Sequence, residues 1–379
     1  MGSKTTLRSQ YVQRIYANGY DPDAVLAALP IGTREWKRVL DAIVKKNNSQ
    51  HAKLYKVVSF KTMKDRETFL FSFFNELRTE TPFRDADPRH LKQRHVQEMV
   101  ARWEERGMAT ASIHNYLSFL RTYSTWIKRP GMVREVAFYV GADSPHAHRR
   151  QVAVEDRSWT AHGVDIEAKI AEVAAFDQWV GLQLEICYRF GARPKEARHF
   201  RPHGALIPRE LACERDAAAY PECEEFVRFA QGTKGGRPRD EPLQTEEQRE
   251  LLTRLQTIVA KGWYVGEPGR TAAQNQSHFY SVMKRFGITQ AALGVTAHGL
   301  RHQSANDGYE ADTGVPSPVR GQQERPENDA DARYRTAIRL GHSRLRSSTF
   351  YVGTMGKPGQ ADAAEDPPAP EGDPVEQSS

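Results

Sequence analysis

Four short stretches in the second half of this 379-residue chain carry side chains able to work on a phosphate. "GARPKEARHF" sets Arg193 before Pro194 at a predicted helix start, with Glu196 three residues on. "GTKGGR" puts Lys234 in a Gly-rich turn, and "AHGLRH" puts His298 and Arg301 at i, i+3, on one helical face. "LGHSRLRSSTFYVG" brings His342 and, nine residues later, Tyr351. Guanidiniums bind phosphate oxygens in pairs, imidazoles move protons, and a phenol can attack phosphorus. Taken singly, each stretch reads equally well as structure. Arg193 with Glu196 makes an exposed ion pair, Lys234 is a turn lysine, and Tyr351 is one more aromatic in a helix.

Other chemistries fit less well. His298 and His302 stand at i, i+4 as on a zinc-binding helix, but Gly299 fills the Glu position of HExxH and no third ligand stands out. "TKGGR" lacks the GxxxxGK[ST] spacing of a phosphate loop. Cys187, Cys213 and Cys223 form no CxxC pair, which argues against a disulfide scaffold or a zinc ribbon and fits a reducing cytoplasm. No cofactor or metal is expected.

The elements that must position these residues follow from pattern. Residues 1–50 read as short helices ("TTLRSQYVQRIYANG", "DPDAVLAALP", "GTREWKRVLDAIVKK"), a helical extension and a candidate extra DNA-binding unit. Over 51–135 three apolar stripes predict a helical bundle: Leu70, Phe73, Phe74 and Leu77; Val96, Met99, Val100 and Trp103; Ile113, Tyr116, Leu117, Leu120 and Ile127. Residues 136–164 read as a linker and lead-in, and 165–353 as a second domain. In that domain helices are expected near 165–189, 245–260, 272–286, 298–309 and 331–342, and a β-hairpin over 224–244. The stretches 203–223 and 306–330, rich in Pro, Gly and charge, read as irregular surface insertions. The tail 354–379 lacks the apolar content to fold and is expected to be disordered. The fold class is thus mainly α with a small β-hairpin or sheet (α+β).

Charge is unevenly spread. Residues 1–150 hold 26 Lys and Arg against 15 Asp and Glu, residues 151–353 hold 27 of each, and the tail holds one Lys against six acids. A basic front half points to a polyanion, nucleic acid ahead of membrane. The candidate DNA contacts are Lys92, Arg94, Arg121, Lys128, Arg129, Arg149 and Arg150. No run approaches the length of a membrane span, so the chain is expected to be cytoplasmic.

In order, Arg193, Lys234, His298-x-x-Arg301, Gly341-His342 and Tyr351 resemble the catalytic series of the tyrosine recombinase (phage integrase) family, and the bundle resembles its core-binding domain. The resemblance covers about residues 53–353. It departs at Ala297, where a Pro is usual, and in the Arg193–Lys234 and Arg301–His342 intervals, each 41 residues and longer than in compact members. What it implies is a site-specific DNA recombinase, with Tyr351 as nucleophile forming a 3′-phosphotyrosyl link. Arg193 and Arg301 would clamp the phosphate, His298 would accept the phenol proton, and Lys234 would protonate the leaving 5′ oxygen. His342 would donate to the phosphate, and Glu196 would orient a cation. The implied partners are double-stranded DNA, three further copies of the chain on paired DNA sites (with a monomer in solution), and accessory DNA-bending or directionality proteins. The implied setting is the nucleoid, and the implied role is movement of a mobile element. The alternatives are a type IB topoisomerase, which reseals the same strand, and a DNA-binding regulator with a vestigial catalytic set.

Overall fold

The computed structural model describes residues 19–49, 58–149, 152–342 and 345–355. The chain divides into two compact units, Met1–Arg150 and Gln151–Ser379. The segment "TTLRSQYVQRIYANG", but for its final Gly19, and residues 356–379 of the tail lie outside the described residues.

The N-terminal unit is helical: α1 Pro22–Ala28, α2 Trp36–Asn47, α3 Phe60–Thr79, α4 Gln93–Glu105, α5 Thr110–Trp126 and α6 Val136–Val140. Asp21 and Ser59 cap α1 and α3 by accepting backbone N–H bonds. The expected stripes turn inward, with Leu70, Phe73, Phe74 and Leu77 of α3 against Met99 and Trp103 of α4 and Leu117 and Leu120 of α5. Aromatic rings dominate this core. Phe73 meets Phe74 edge-to-face at 5.3 Å and Trp103 at 6.3 Å, and Phe69 stacks on Tyr116 at 4.3 Å. Burying one such ring stabilises by about 1.5–3 kcal/mol. Trp36, Val39, Leu40 and Ile43 of α2 belong to the same cluster, so α2 packs as part of the bundle.

The C-terminal unit contains α7 Ile166–Phe176, α8 Gln178–Arg189, α9 Pro194–Arg198, β1 Leu206–Pro208, α10 Glu214–Ala219, β2 Glu225–Phe229, β3 Arg239–Pro242, α11 Glu246–Ile258, α12 Ala272–Arg285, α13 Gly299–Thr313, α14 Asp329–Arg339 and α15 Thr349–Val352. The expected helical stretch 165–189 is two helices, broken at Asp177, whose carboxylate caps α8 by accepting from Val180 N at 2.9 Å. α7 and α8 press together at Gly181, where a Cβ would stand 2.5 Å from that of Ala174.

The β-hairpin is present as β2 and β3, and it is part of a three-stranded antiparallel sheet in the order β1-β2-β3, with Ile207 opposite Phe226 and Val227 opposite Glu241. The third strand comes from 203–223, so that stretch is not the irregular surface insertion its composition suggested. It supplies β1 and α10, and it buries Ile207, Ala219, Tyr220 and Cys223 against Phe226 and Ile338. The second expected insertion, 306–330, also differs in its first part. α13 runs on to Thr313, with Asn306 and Tyr309 buried. Ser317 donates to Asn306 Oδ1 at 2.5 Å and Tyr309 to Asp329 at 2.6 Å. Polar side chains that satisfy one another can be buried, and composition alone does not register that.

Candidate active site

Arg193 is the N-cap of α9, and Pro194 begins the helix. Glu196, in the first turn, accepts from Arg193 N at 2.8 Å and from Arg193 Nη1 at 2.5 Å. This carboxylate is fully buried among three guanidiniums, with Arg239 Nε at 3.4 Å and Arg301 Nη1 at 3.8 Å from Oε2. Burial pushes its pKa up, but Arg239, Arg301 and Arg193 together outweigh burial and hold it down to about 2. Glu196 therefore stays charged and fixes the cations around it.

α13 brings in the next pair. His298 is its N-cap, and Arg301 is fully buried one turn on. Gly299 between them is required by space, because a Cβ there would lie 2.7 Å from the Arg157 carbonyl and 2.9 Å from the Trp159 ring. No Glu fits that position, in keeping with the missing zinc motif. Arg301 donates from Nε to the Tyr351 hydroxyl at 3.1 Å, from Nη1 to the Gly191 carbonyl at 2.6 Å, and from Nη2 to the Leu340 carbonyl. Each Nη nitrogen keeps a second N–H beyond the one given to a carbonyl. Arg193 Nη2 reaches the same Leu340 carbonyl at 3.4 Å, so the two arginines share an anchor.

Tyr351 lies on the single turn of α15, 6% exposed. Bonds from Ala153 N to the Thr349 carbonyl (2.9 Å) and from Arg333 Nη1 to the Gly353 carbonyl (2.8 Å) hold that turn. The Tyr351 hydroxyl also meets His342 Nε2 at 3.4 Å. His342 follows Gly341, which has φ 65° and leaves no room for a side chain, since a Cβ would stand 2.9 Å from Arg239 Cδ. The His298 ring centre is 6.3 Å from that of Tyr351, and no bond joins it to the hydroxyl; the imidazole in contact with the phenol oxygen is His342.

Both imidazoles are held neutral. Burial, then the charges of Arg301 and Arg193, push His342 down to about 3 and His298 down to about 4. The charge of Lys234 acts on His342 in the same direction, after those of Arg301 and Arg193. Lys234 itself is exposed in the 3-10 turn Lys234–Gly236; Arg237 and Lys261 are exposed too. Gly232, at φ 76°, lets the tip press on α9, where a Cβ would lie 2.7 Å from the Lys195 carbonyl.

Two site residues escaped the sequence reading. Arg239, on β3, is 2% exposed and donates to Glu241 (2.6 Å), to the Arg339 carbonyl (2.9 Å) and to the Phe190 carbonyl (3.0 Å). It ties the hairpin to the ends of α8 and α14, the segments that position Arg193 and His342. In sequence it is one of two arginines in "GGRPRDEP", and only its place as the first residue of β3 marks it. The second is His302, noticed only as half of a metal pair. Its ring is 4.9 Å from that of Tyr351.

One group of potential metal ligands, Cys213, Asp216 and Asp240, occurs among the described residues. Arg228 already bonds both oxygens of Asp240 at 2.8 Å, and Arg215 bonds Asp216 at 2.8 Å. That cluster ties α10 to β3.

On the N-terminal unit Lys92, Arg94, Lys128, Arg129 and Arg149 are exposed. Arg121, the candidate DNA contact on α5, is half-buried and donates to Glu135 at 3.2 Å and to the Arg134 carbonyl at 3.0 Å. Arg150 lies outside the described residues. Lys128 has φ 59° and closes α5 through Lys128 N to Thr125 O (3.1 Å) and Arg129 N to Ser124 O (2.7 Å), which turns this basic pair outward.

A family model described as phage integrase, N-terminal, matches residues 46–133. No curated protein matches the chain. Among solved structures, a lambda integrase(75-356) dimer bound to a COC' core site aligns with a TM-score of 0.51 at 16% identity, covering 86% of this chain and 97% of that one. A lambda integrase tetramer bound to a Holliday junction aligns with a TM-score of 0.49 at 17% identity, covering 86% and 78%. The Tn1549 transposon integrase in complex with transposon right end DNA gives 0.48 at 15% identity, covering 83% and 95%. The first of these alignments shows a shared fold, a helical N-terminal unit followed by a mainly helical unit with a small antiparallel sheet. The N-terminal region matched by the family model and the Arg193-to-Tyr351 series both resemble the tyrosine recombinase (phage integrase) family.

Proposed function

We propose that this protein is a site-specific DNA recombinase that cuts and rejoins strands through a 3′-phosphotyrosyl intermediate. The observation that carries the reading is the Tyr351 hydroxyl held 3.1 Å from Arg301 Nε, within a site shared by Arg193 and His342. In the reaction the Tyr351 oxygen bonds to phosphorus while its proton passes to His298. The phosphorus–O5′ bond breaks, and the departing oxygen takes a proton from Lys234. A 5′ hydroxyl of a second strand then reverses the step, so the phosphodiester energy is kept in the protein–DNA bond.

Arg193 and the spare N–H groups of Arg301 stabilise the charge gathering on the non-bridging oxygens, and His342 turns its Nε2–H to the phosphate. Glu196, locked beneath, keeps both guanidiniums in place. A tyrosine phenol ordinarily titrates at about 10, so its deprotonation draws on His298 and on the surrounding positive field. These side chains complete the cycle without a metal or a nucleotide.

The exposed cations of the N-terminal unit supply sequence-independent phosphate contacts, with affinity that falls steeply with salt. Joining two duplexes exchanges four strands, which calls for four protomers on paired sites assembled from monomers, with accessory DNA-bending or directionality proteins setting the outcome. A mobile element carried in chromosomal DNA is the natural substrate. No helix among the described residues is long and apolar enough to cross a membrane, and the reading places the protein in the cytoplasm, on the nucleoid.

The test is covalent capture on DNA in vivo, followed by sequencing of the attached fragments. The native chain should trap one recurring sequence and Tyr351→Phe none, with DNA binding of the variant within about threefold. Equal capture by Tyr351→Phe would sink the assignment and turn attention to Tyr334.

A further inference from the structure

His302 stands one turn beyond His298 on α13, and nothing in the proposed reaction uses it. Its side chain is 7% exposed, packed 4.9 Å from the Tyr351 ring and edge-to-face on His298, with ring centres 5.3 Å apart at 88°. Its Nδ1 is buried and has no hydrogen-bond partner among the described residues. Such an orphan is destabilising, and a phenylalanine would fill the space without leaving one. An imidazole retained there needs a reason.

The spacing suggests one. Two imidazoles joined by an N–H···N bond of about 2.9–3.0 Å have ring centres about 5 Å apart, because each nitrogen sits about 1 Å from its ring centre. His298 and His302 already have that separation, and only the edge-to-face orientation keeps the bond from closing. His298 stands at the N-cap of α13, where the helix begins, whereas His302 is enclosed one turn further in, 7% exposed. Burial holds both neutral, His298 at about 4 and His302 at about 3, so one can donate while the other accepts.

We infer that His302 is a positioning residue for His298: on DNA its Nδ1 accepts the His298 N–H and leaves the opposite nitrogen of His298 free to take the Tyr351 proton. A catalytic base held in one tautomer by a third group is the general arrangement for activating a hydroxyl. After transfer, His298 carries both protons and still donates to His302, which remains neutral with its own proton on Nε2. This rests on His298 being the proton acceptor proposed above.

The test compares His302→Phe, which keeps a ring but no acceptor, with His302→Asn, whose amide oxygen falls near Nδ1. Single-turnover covalent capture is measured with the full chain on a duplex carrying the recovered target sequence, alongside DNA binding and thermal midpoint. His302→Asn should stay within about threefold of native, while His302→Phe should slow by about 10–100-fold with binding unchanged. Native-rate capture by His302→Phe, or equal slowing of both variants, overturns the inference. His298→Ala separates the two readings: if it captures at the native rate the proton-acceptor assignment fails, and the role of His302 falls with it. If only His302→Phe is native-like, the inference fails alone. Should the variants fold poorly, ¹⁵N resonances of the native chain on DNA decide. An unprotonated His302 Nδ1 is expected, and a protonated one contradicts the assignment.

Discussion

The two units bury different things. The centre of the N-terminal unit is a stack of Phe69, Phe73, Phe74, Trp103 and Tyr116, and many of its charges lie outside. The C-terminal unit has an apolar core too, but beside it lie Arg239, Arg301, Glu196 and Glu241, all 2% exposed or less. Apolar burial is non-directional and stabilises whatever it covers. Buried ion clusters contribute little net stability, yet they fix geometry, because removing one partner leaves the others uncompensated. One unit is thus held chiefly by apolar burial, with Lys92, Arg94, Lys128, Arg129 and Arg149 exposed. The other holds Arg193, Arg239 and Arg301 around the Glu196 carboxylate, with Arg301 on the Tyr351 hydroxyl.

Variants can break that contrast. The largest expected effect is in the aromatic core. Phe73→Ala should destabilise the N-terminal unit by about 3–5 kcal/mol, seen as faster hydrogen exchange confined to residues before 150. Loss of protection in both units alike would refute the separation. Arg301→Ala, in the ionic cluster, should slow covalent capture by about 100- to 1,000-fold with DNA binding little changed. Arg193→Ala should behave likewise, and Arg193→Lys should not restore activity, since an ammonium lacks the paired donors. Unaltered capture by either alanine variant removes that arginine from the phosphate clamp.

Acid should separate the units next. His298, His302 and His342 have folded pKa values held below the ordinary histidine value of about 6.5. Below that pH the unfolded chain binds protons that the folded one refuses, so their stabilisation is complete above about 6.5, is lost progressively below it, and is gone once pH has fallen through the folded values of about 4 to about 3. Glu196, held at about 2, acts in the same direction below about 4.5. In the N-terminal unit His95 is displaced in the same way, to about 4. Hydrogen exchange between pH 7.5 and 5 should therefore show a steeper loss of protection in the C-terminal unit; a steeper loss in the N-terminal unit would contradict this. The smallest effect belongs to surface charge. Replacing Lys128 and Arg129 together with alanine should lower the slope of log affinity against log salt by about 2 and leave cleavage at saturating DNA unchanged. An unaltered slope removes the pair from the DNA contacts.

How much of this was legible in the sequence depended on the kind of signal. The apolar stripes of α3, α4 and α5 could be read because a helix facing one core repeats at 3.6 residues. The candidate residues Arg193, His298, Arg301, His342 and Tyr351 could be picked out because they occur in short ordered motifs; in the fold Arg301 and His342 meet the Tyr351 hydroxyl, and Arg193 shares the Leu340 carbonyl with Arg301. Arg239 and His302 could not be read in these roles, because their meaning lies in contacts with Phe190, Arg339 and Tyr351, far away in the chain. β1 and α10 were hidden for a related reason. A three-residue strand and a six-residue helix have no periodicity of their own, and they are stabilised by Phe226 and Ile338 from elsewhere.

The most direct measurement of the central claim is the location of the protein–DNA bond. A covalent complex of the native chain with its captured DNA, digested with nuclease and protease, should yield one peptide carrying a nucleotide adduct. Fragmentation in the mass spectrometer should place the phosphate on the Tyr351 oxygen. An adduct on Tyr334, on a serine or on any other side chain would contradict the account.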